Sequence, residues 1–209
     1  MELLNGLLMS VWIFILTLLV SLPLGLLVAL GHMSKIWVLR HITRIYISIM
    51  RGTPLMLQIM VVYFGPYYLF KIPVSSGYRF VAVIIAFGIN YAAYFAEIYR
   101  GGIEAVPLGQ YEAAHVLGYS KAQTFFKIIM PQVVKHILPA VTNEVITLVK
   151  DTSLSHTIAI LEMFTIARQL SSSMTSMVPL ITAGVFYYVF NFIVAYVMDR
   201  FEKALDYYR

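Results

Sequence analysis

The feature that most constrains the fold is an uninterrupted apolar run near the N-terminus. No charged residue occurs from Leu7 to Leu30, and about 20 consecutive apolar residues are enough for a helix to cross a bilayer. The whole chain supports this interpretation, because 60% of its residues are hydrophobic and its mean hydropathy is +0.81. Soluble domains contain roughly 45–50% apolar residues. The sequence therefore predicts an all-α integral membrane protein.

Four further stretches predict a total of five transmembrane helices in one domain of residues 1–209. In the second span, Thr53 and Pro54 fit an N-cap and a first-turn proline, and Gly65 with Pro66 marks where the span weakens or ends. Residues 155–170 are apolar at helical spacing but carry charges, which predicts a helix lying against the bundle or along the membrane interface. The four later spans run from near Tyr46 to Gly65, Phe80 to Tyr99, Val133 to Val149 and Val178 to Val197.

The distribution of Lys and Arg predicts the orientation, since these residues are in excess in the cytoplasmic loops of membrane proteins. Only Lys71, Arg79 and Arg168 fall on one side of the five-span arrangement. We therefore expect the N-terminus outside and the C-terminus in the cytoplasm. The same preference accounts for the net charge of +5, so membrane lipid, and not nucleic acid, is the expected partner. The other side receives Lys35, Arg40, Arg44, Arg51, Arg100, Lys121, Lys127, Lys135, Arg200, Lys203 and Arg209.

A strip with the composition of a soluble helix, Glu112 to Pro131, lies between the third and fourth predicted spans. Its two halves meet at Gly118, where a residue without a side chain can adopt a positive φ. Polar residues, among them Lys121 and Gln123, keep the second half compatible with water. The strip predicts two short helices joined by a turn and facing the cytoplasm. On shape alone, an ordinary amphipathic loop is an equally good interpretation.

The residue types and their spacing in the strip distinguish between these two interpretations. Glu112-Ala113-Ala114, then Gly118, then Ile128 and Met130-Pro131 resemble in residue type and spacing the EAA loop of binding-protein-dependent ABC importers, with Met130 in place of the usual leucine. Further stretches resemble the polar amino-acid uptake branch of that family. They are "RGTPLMLQIMVVYFG" from Arg51, "AAYFAEIYRGGIEAVPLGQYEAA" from Ala92 and "LVKDTSL" from Leu148.

The resemblance implies a multi-pass permease subunit of a prokaryotic cytoplasmic (inner) membrane. Its partners would be a dimer of ABC ATPase subunits, a second permease subunit in a homodimer or heterodimer, and an extracytoplasmic amino-acid-binding protein. The loop of about residues 104–131 would form a coupling helix on the ATPase. Glu112 would anchor it to a basic group, Ala113 and Ala114 would permit close docking, and Gly118 would set the turn.

The chain is not expected to be an enzyme by itself, because no Gly-x-x-x-x-Gly-Lys-Ser/Thr loop for ATP phosphates occurs in it. No cofactor is expected in this chain, and ATP with Mg²⁺ would bind to the partner ATPase. The five histidines have no metal-ligand spacing, so no metal site is predicted.

Ionisable and polar groups at membrane depth are functional candidates, because they are costly in lipid. On the third predicted span, Asn90, Tyr94 and Glu97 share one face, and on the fourth Asn143 and Thr147 do so, with Glu144 on an adjacent stripe. These six residues predict a substrate-binding or translocation path. The alternative is that they hold helices together, with Glu97 and Arg100 forming an ion pair and Lys150 and Asp151 another.

The sequence thus predicts an ATP-driven importer of polar amino acids. Glu144 favours basic substrates such as arginine, lysine and histidine, because a carboxylate in the path offsets part of their lost hydration. Two alternatives remain open. An ion-gradient-coupled secondary amino-acid transporter would use the membrane charges as ion sites, and a membrane scaffold would use the strip only to recruit a partner.

Overall fold

The computed structural model describes residues 1–205 and is entirely helical over that range; Arg209, one of the residues used to predict the orientation, lies outside it. A π-helical turn, Phe125–Ile129, joins α6 to α7, and a 3₁₀ helix, Thr152–Ile158, follows α7. The α-helices are α1 Glu2–His32, α2 Trp37–Gly52, α3 Leu55–Phe70, α4 Tyr78–Glu104, α5 Leu108–Val116, α6 Lys121–Thr124, α7 Met130–Asp151, α8 Met163–Ser173 and α9 Val178–Ala204.

The centre of the bundle is the close pair of α1 and α4. Small residues allow this approach: a Cβ atom at Gly25 would lie 2.8 Å from Cβ of Phe95, and one at Gly88 would lie 2.9 Å from Cγ1 of Val20. Helices in membranes commonly associate through such small residues, because backbone proximity increases van der Waals contact. The pair buries Phe87, Tyr91 and Phe95 in the main apolar core.

Three of the five predicted spans are confirmed as helices long and apolar enough to cross a membrane, namely α1, α4 and α9. The second is a bent pair, α2 and α3, whose axes differ by 111°, and it adds a fourth candidate if the pair is one span. The fourth predicted span is helical as α7, but it does not belong to this set among residues 1–205. Its polar residues lower its hydropathy; they include Gln132, Lys135, His136, Asn143 and Glu144.

The break between α2 and α3 corrects the predicted helix start. Pro54, with φ −63° and ψ 132°, is itself the N-cap of α3, and Thr53 is extended. Proline disfavours helical geometry in the residue before it, which ends α2. The Thr53 hydroxyl donates to the Ile49 carbonyl at 2.8 Å and so belongs to the end of α2. α3 also continues past Pro66 to Phe70, so of the two predicted alternatives the helix does not end at Gly65-Pro66.

Residues 155–170 do not form the single helix that was predicted. The 3₁₀ helix ends at Ala159, which has φ +57°, and an irregular segment precedes α8. Glu162 is the N-cap of α8 and is fully buried; its carboxylate accepts from the backbone N–H groups of Phe164 and Thr165, each at 2.7 Å. The predicted packing against the bundle is confirmed, because α8 contacts α1 and α9.

Candidate functional site

The strip after α4 folds into two short helices around a rigid turn. Gly118 has φ +78°, a conformation that a side chain disfavours. Its N–H donates to the His115 carbonyl at 3.0 Å, and the Tyr119 N–H donates to the Ala114 carbonyl at 3.0 Å. These two hydrogen bonds satisfy carbonyl groups that the end of α5 would otherwise leave without partners. The predicted turn at Gly118 is therefore present.

The second arm of the turn is also fixed locally. Ser120 caps α6 by accepting from the Gln123 N–H at 3.3 Å, and the Gln123 side chain accepts from the Ser120 N–H at 2.9 Å. This reciprocal capping box orients α6 relative to the turn without help from the rest of the bundle. The π-helical turn and α7 follow directly.

Three apolar side chains, on α5 and directly after it, are exposed on the surface of the protomer. Leu108, Val116 and Leu117 are 77%, 85% and 73% exposed. Glu112 and Ala113 are exposed beside them, whereas Ala114 is buried inside the chain. Exposed apolar residues grouped on one short element mark a surface that can bind another polypeptide. We call this surface, residues 108–118, the α5 face.

A second polar region lies where the ends of α1, α2 and α4 meet. The Glu97 carboxylate is 2.8 Å from Nη2 of Arg100, 3.3 Å from Nδ1 of His32 and 3.6 Å from Nη1 of Arg51. Arg100 also pairs with Glu104. The ion pair of Glu97 with Arg100 that the sequence allowed is therefore confirmed, and it is part of a larger network.

Asn90 and Tyr94 occupy different surroundings although they share a face of α4. Asn90 is buried, and its amide donates to the Met50 carbonyl and to Oε1 of Gln58, each at 3.0 Å. These bonds connect α4 to the bend between α2 and α3. The Tyr94 ring is half-buried and lies under the Arg51 guanidinium group, 5.4 Å from the ring centroid.

The polar residues of α7 lie along its half-exposed side. Asn143 is exposed, while Glu144 and Thr147 are half-buried. Arg51 forms an ion pair with Glu97 and acts on Glu144 electrostatically, without a direct ion pair to Glu144 among residues 1–205. Lys150 and Asp151 interact electrostatically but form no direct ion pair among residues 1–205. The Asp151 carboxylate instead accepts a hydrogen bond from the Tyr91 hydroxyl at 2.8 Å.

Sequence reasoning missed the central position of Arg51 and the hydrogen-bonding role of Gln58. An arginine beside Thr-Pro inside an apolar stretch was a usable signal, because it indicates a break in the helix and not a continuous span. Gln58 gave no such signal: besides the nearby Thr53, its partners Met50 and Asn90 are 8 and 32 residues away in the chain.

The structure is therefore that of a membrane protein: a helical bundle with membrane-length helices, an internal polar network and an exposed helical loop. The sequence model of the binding-protein-dependent transport system inner membrane component matches residues 21–207. The chain belongs to this family of ABC transporter permeases, which confirms the resemblance seen in the EAA strip.

Relatives with assigned transport systems extend over most of the chain. It is 39% identical over 195 residues to an octopine transport system permease protein of Rhizobium radiobacter, with 88% of this chain and 80% of that protein covered. It is 35% identical over 206 residues to the arginine transport system permease protein of Bacillus subtilis, with coverages of 97% and 91%. An L-cystine transport system permease protein of the same organism is 34% identical, with coverages of 98% and 86%.

Solved structures show the same architecture. A crystal structure of an amino acid ABC transporter with histidines has a TM-score of 0.88 and 32% identity, covering 97% of this chain and 94% of that one. An inward-facing methionine ABC transporter matches at a TM-score of 0.73 and 17% identity, with coverages of 98% and 94%, and supports the fold alone. None of these relatives favours the alternative of a gradient-coupled transporter.

Proposed function

We propose that this chain is the membrane-spanning subunit of an ATP-driven importer of polar amino acids. It forms the translocation path and receives motion from a separate ATPase subunit. The main support for this proposal is the α5 face, which combines the Glu-Ala-Ala motif with the Gly118 turn and exposed apolar side chains. The amino-acid substrate class is supported by the names of the relatives, each a permease for an amino acid or an amino-acid derivative.

The proposed topology has five spans, with the N-terminus outside and the C-terminus in the cytoplasm. The bent pair of α2 and α3 and the helix α7 would add two spans to α1, α4 and α9. The excess of Lys and Arg on the side of the α5 face supports this orientation. The chain would then be a multi-pass protein of the cytoplasmic membrane of a prokaryote.

The α5 face would seat on the ATPase subunit. Glu112 would form one charge-assisted contact, which fixes the register, and the exposed Ala113 would permit close approach. Ala114 is buried, so we assign its small size to packing inside the permease. Gly118 would keep α5 and α6 at a fixed angle, so that displacement of the loop reaches α7 through a stiff connection.

The remaining partners would be a second permease subunit, which pairs with this one, and an extracytoplasmic amino-acid-binding protein. ATP and Mg²⁺ would bind to the ATPase dimer. Closure of the dimer would move the two α5 faces together and switch the path from inward to outward opening.

The path would be lined by Tyr94, Asn143, Glu144 and Thr147. Asn90 and Glu97 would act at its border, through their contacts with the α2–α3 bend and with Arg51.

Substitutions in the turn test the coupling role. In vesicles with the ATPase and binding protein, we expect Gly118→Val or Glu112→Lys to retain membrane insertion but to lower uptake per ATP hydrolysed by about tenfold. Gly184→Val is the control, because Gly184 lies on α9, outside the α5 face, and has nothing within 4 Å of an added Cβ and no positive φ. Normal coupling in both variants would refute the role.

Within the polar amino acids, we propose a preference for basic ones, which the carboxylate of Glu144 supports. Arg51 acts electrostatically on Glu144 and offsets part of its negative charge. We therefore expect a moderate preference for basic amino acids. Glu144→Gln should lower arginine uptake by several-fold and leave glutamine uptake unchanged, measured by competition in the same vesicles, with Glu202→Gln as control. A wild-type preference for glutamate over arginine would exclude this specificity.

A further inference from the structure

A cavity of about 330 Å³ opens at the ends of α1, α2 and α4, on the same side of the bundle as the chain's entry into α5. Its charged lining has three arginines, one histidine and one glutamate. This composition is favourable for an anion. The lining residues are His32, Met33, Arg40, Arg44, Arg100 and Glu104.

The arginines of this cavity differ in their partners. Arg100 is compensated by ion pairs with Glu97 and Glu104. Neither the Arg40 nor the Arg44 guanidinium group forms an ion pair or side-chain hydrogen bond with any residue in the described range 1–205. They are four residues apart on α2, so both can approach one ligand. Two uncompensated guanidinium groups match the oxygens of a phosphate diester.

The rest of α2 indicates the source of that phosphate. Its other side carries an apolar stripe in which every member is at least half exposed: Val38, Ile42, Ile45 and Ile49. Trp37 lies on the arginine side, one turn before Arg40, and is 65% exposed. An amphipathic helix with arginines on one side and exposed aliphatic residues on the other is typical of one lying in the membrane interface, where tryptophan is also enriched.

We propose that the cavity binds the phosphate headgroup of an anionic phospholipid, with Arg40 and Arg44 as its main contacts. The lipid would belong to the leaflet on the side of the α5 face, and its acyl chains would cover the apolar stripe of α2. Basic cavities between membrane helices on the cytoplasmic side recognise such headgroups. The assignment to the cytoplasmic leaflet rests on the proposed topology; binding itself does not require the ATPase.

Trp37 provides a direct probe, because Trp12 and Trp37 are the only tryptophans in the chain. The Trp12→Phe protein is reconstituted in vesicles that contain an equal fraction of brominated phosphatidylglycerol or brominated phosphatidylcholine. We expect stronger quenching of Trp37 by the anionic lipid. Arg40→Gln with Arg44→Gln should reduce the ratio of the two apparent association constants by about fivefold for each arginine.

The matched control removes the same charge away from the cavity, by Lys127→Gln with Arg200→Gln in the Trp12→Phe background. An equal loss in this control would assign the preference to net charge and overturn the proposal. So would an unchanged ratio in the arginine variant. Reversal of the quenching by excess inorganic phosphate would identify a soluble anion as the ligand.

A further outcome separates lipid from protein. If the arginine variant keeps its lipid preference but loses copurification of the ATPase, the two arginines contact that subunit and the lipid proposal is wrong. Failure of the lipid test leaves the Gly118 and Glu112 experiments unaffected, because those measure coupling. Conversely, an uncoupled Gly118→Val protein should retain the lipid preference.

Discussion

Helices α4 and α9 have the same length and similar hydropathy, yet they occupy opposite positions in the bundle. Each has 27 residues and is apolar enough to cross a membrane. In α4, 61% of the most apolar stretch is buried within the protomer, compared with 6% in α9. Hydropathy therefore identifies a membrane helix but does not determine whether its neighbours are protein or lipid.

The difference lies in where the small residues fall. On α4, Gly88 meets Val20 of α1, and a Cβ at Gly102 would lie 2.1 Å from Cγ2 of Ile137 on α7. On α9, Gly184 has nothing within 4 Å of an added Cβ, and bulky side chains such as Tyr188 are exposed around it. Small residues thus produce a central helix only where a partner helix fills the space that they leave, here with the side chains of Val20 and Ile137.

α9 is held by a few specific contacts. The Tyr187 hydroxyl donates to the buried Glu162 carboxylate at 2.9 Å, and the Phe190 ring packs edge-on against Phe14, with centroids 5.4 Å apart. Glu162 also accepts from the Thr165 hydroxyl at 2.7 Å. This one carboxylate therefore connects α9 to the start of α8.

Removing that carboxylate should have the largest effect on stability. We expect Glu162→Ala to lower the free energy of unfolding by about 3 kcal/mol, because the Tyr187 and Thr165 hydroxyls and two backbone N–H groups lose their acceptor. Thermal unfolding in detergent measures the change, and Glu202→Ala, on the exposed end of α9, is the control. A loss as small as that of the control would mean that α9 is held by apolar contacts alone.

A pair of glycine substitutions tests the packing argument directly. Gly25→Ala should cost about 2 kcal/mol, because the new methyl group would overlap Cβ of Phe95 and the Ala92 carbonyl, at 2.8 and 3.0 Å. Gly184→Ala on α9 should be neutral or slightly stabilising, since it adds helix propensity in open space. The comparison of the two helices fails if both substitutions have equal effects on the unfolding temperature.

The sequence was sufficient for features that depend on local chemistry. The apolar runs of α1, α4 and α9 required only composition, and the turn at Gly118 required only its spacing between two amphipathic segments. Local chemistry also explains one error. Thr53 and Pro54 were interpreted as the start of a helix within one span, but the same dipeptide ends α2 and allows the 111° bend.

Features that depend on distant partners were not available from the sequence. Asn90 was grouped with Tyr94 and Glu97 because they share a face of α4, but its partners Met50 and Gln58 come from a bend that was not predicted. Glu162 was expected inside a single helix of residues 155–170, and it is instead the buried N-cap of α8. The spacing along one helix gives the face of a residue, whereas its role depends on which helix covers that face.

Two asparagines provide the finest test of the comparison. Asn90 on α4 donates two hydrogen bonds across helices, whereas Oδ1 of Asn191 on α9 is buried and has no partner among residues 1–205. Asn90→Leu should therefore cost about 1 kcal/mol, close to the usual value of a hydrogen bond between membrane helices, and Asn191→Leu should leave the unfolding temperature of the isolated subunit unchanged. If Asn191→Leu instead destabilises only the assembled transporter, Asn191 contacts a neighbouring subunit, and the exposed side of α9 faces protein and not lipid.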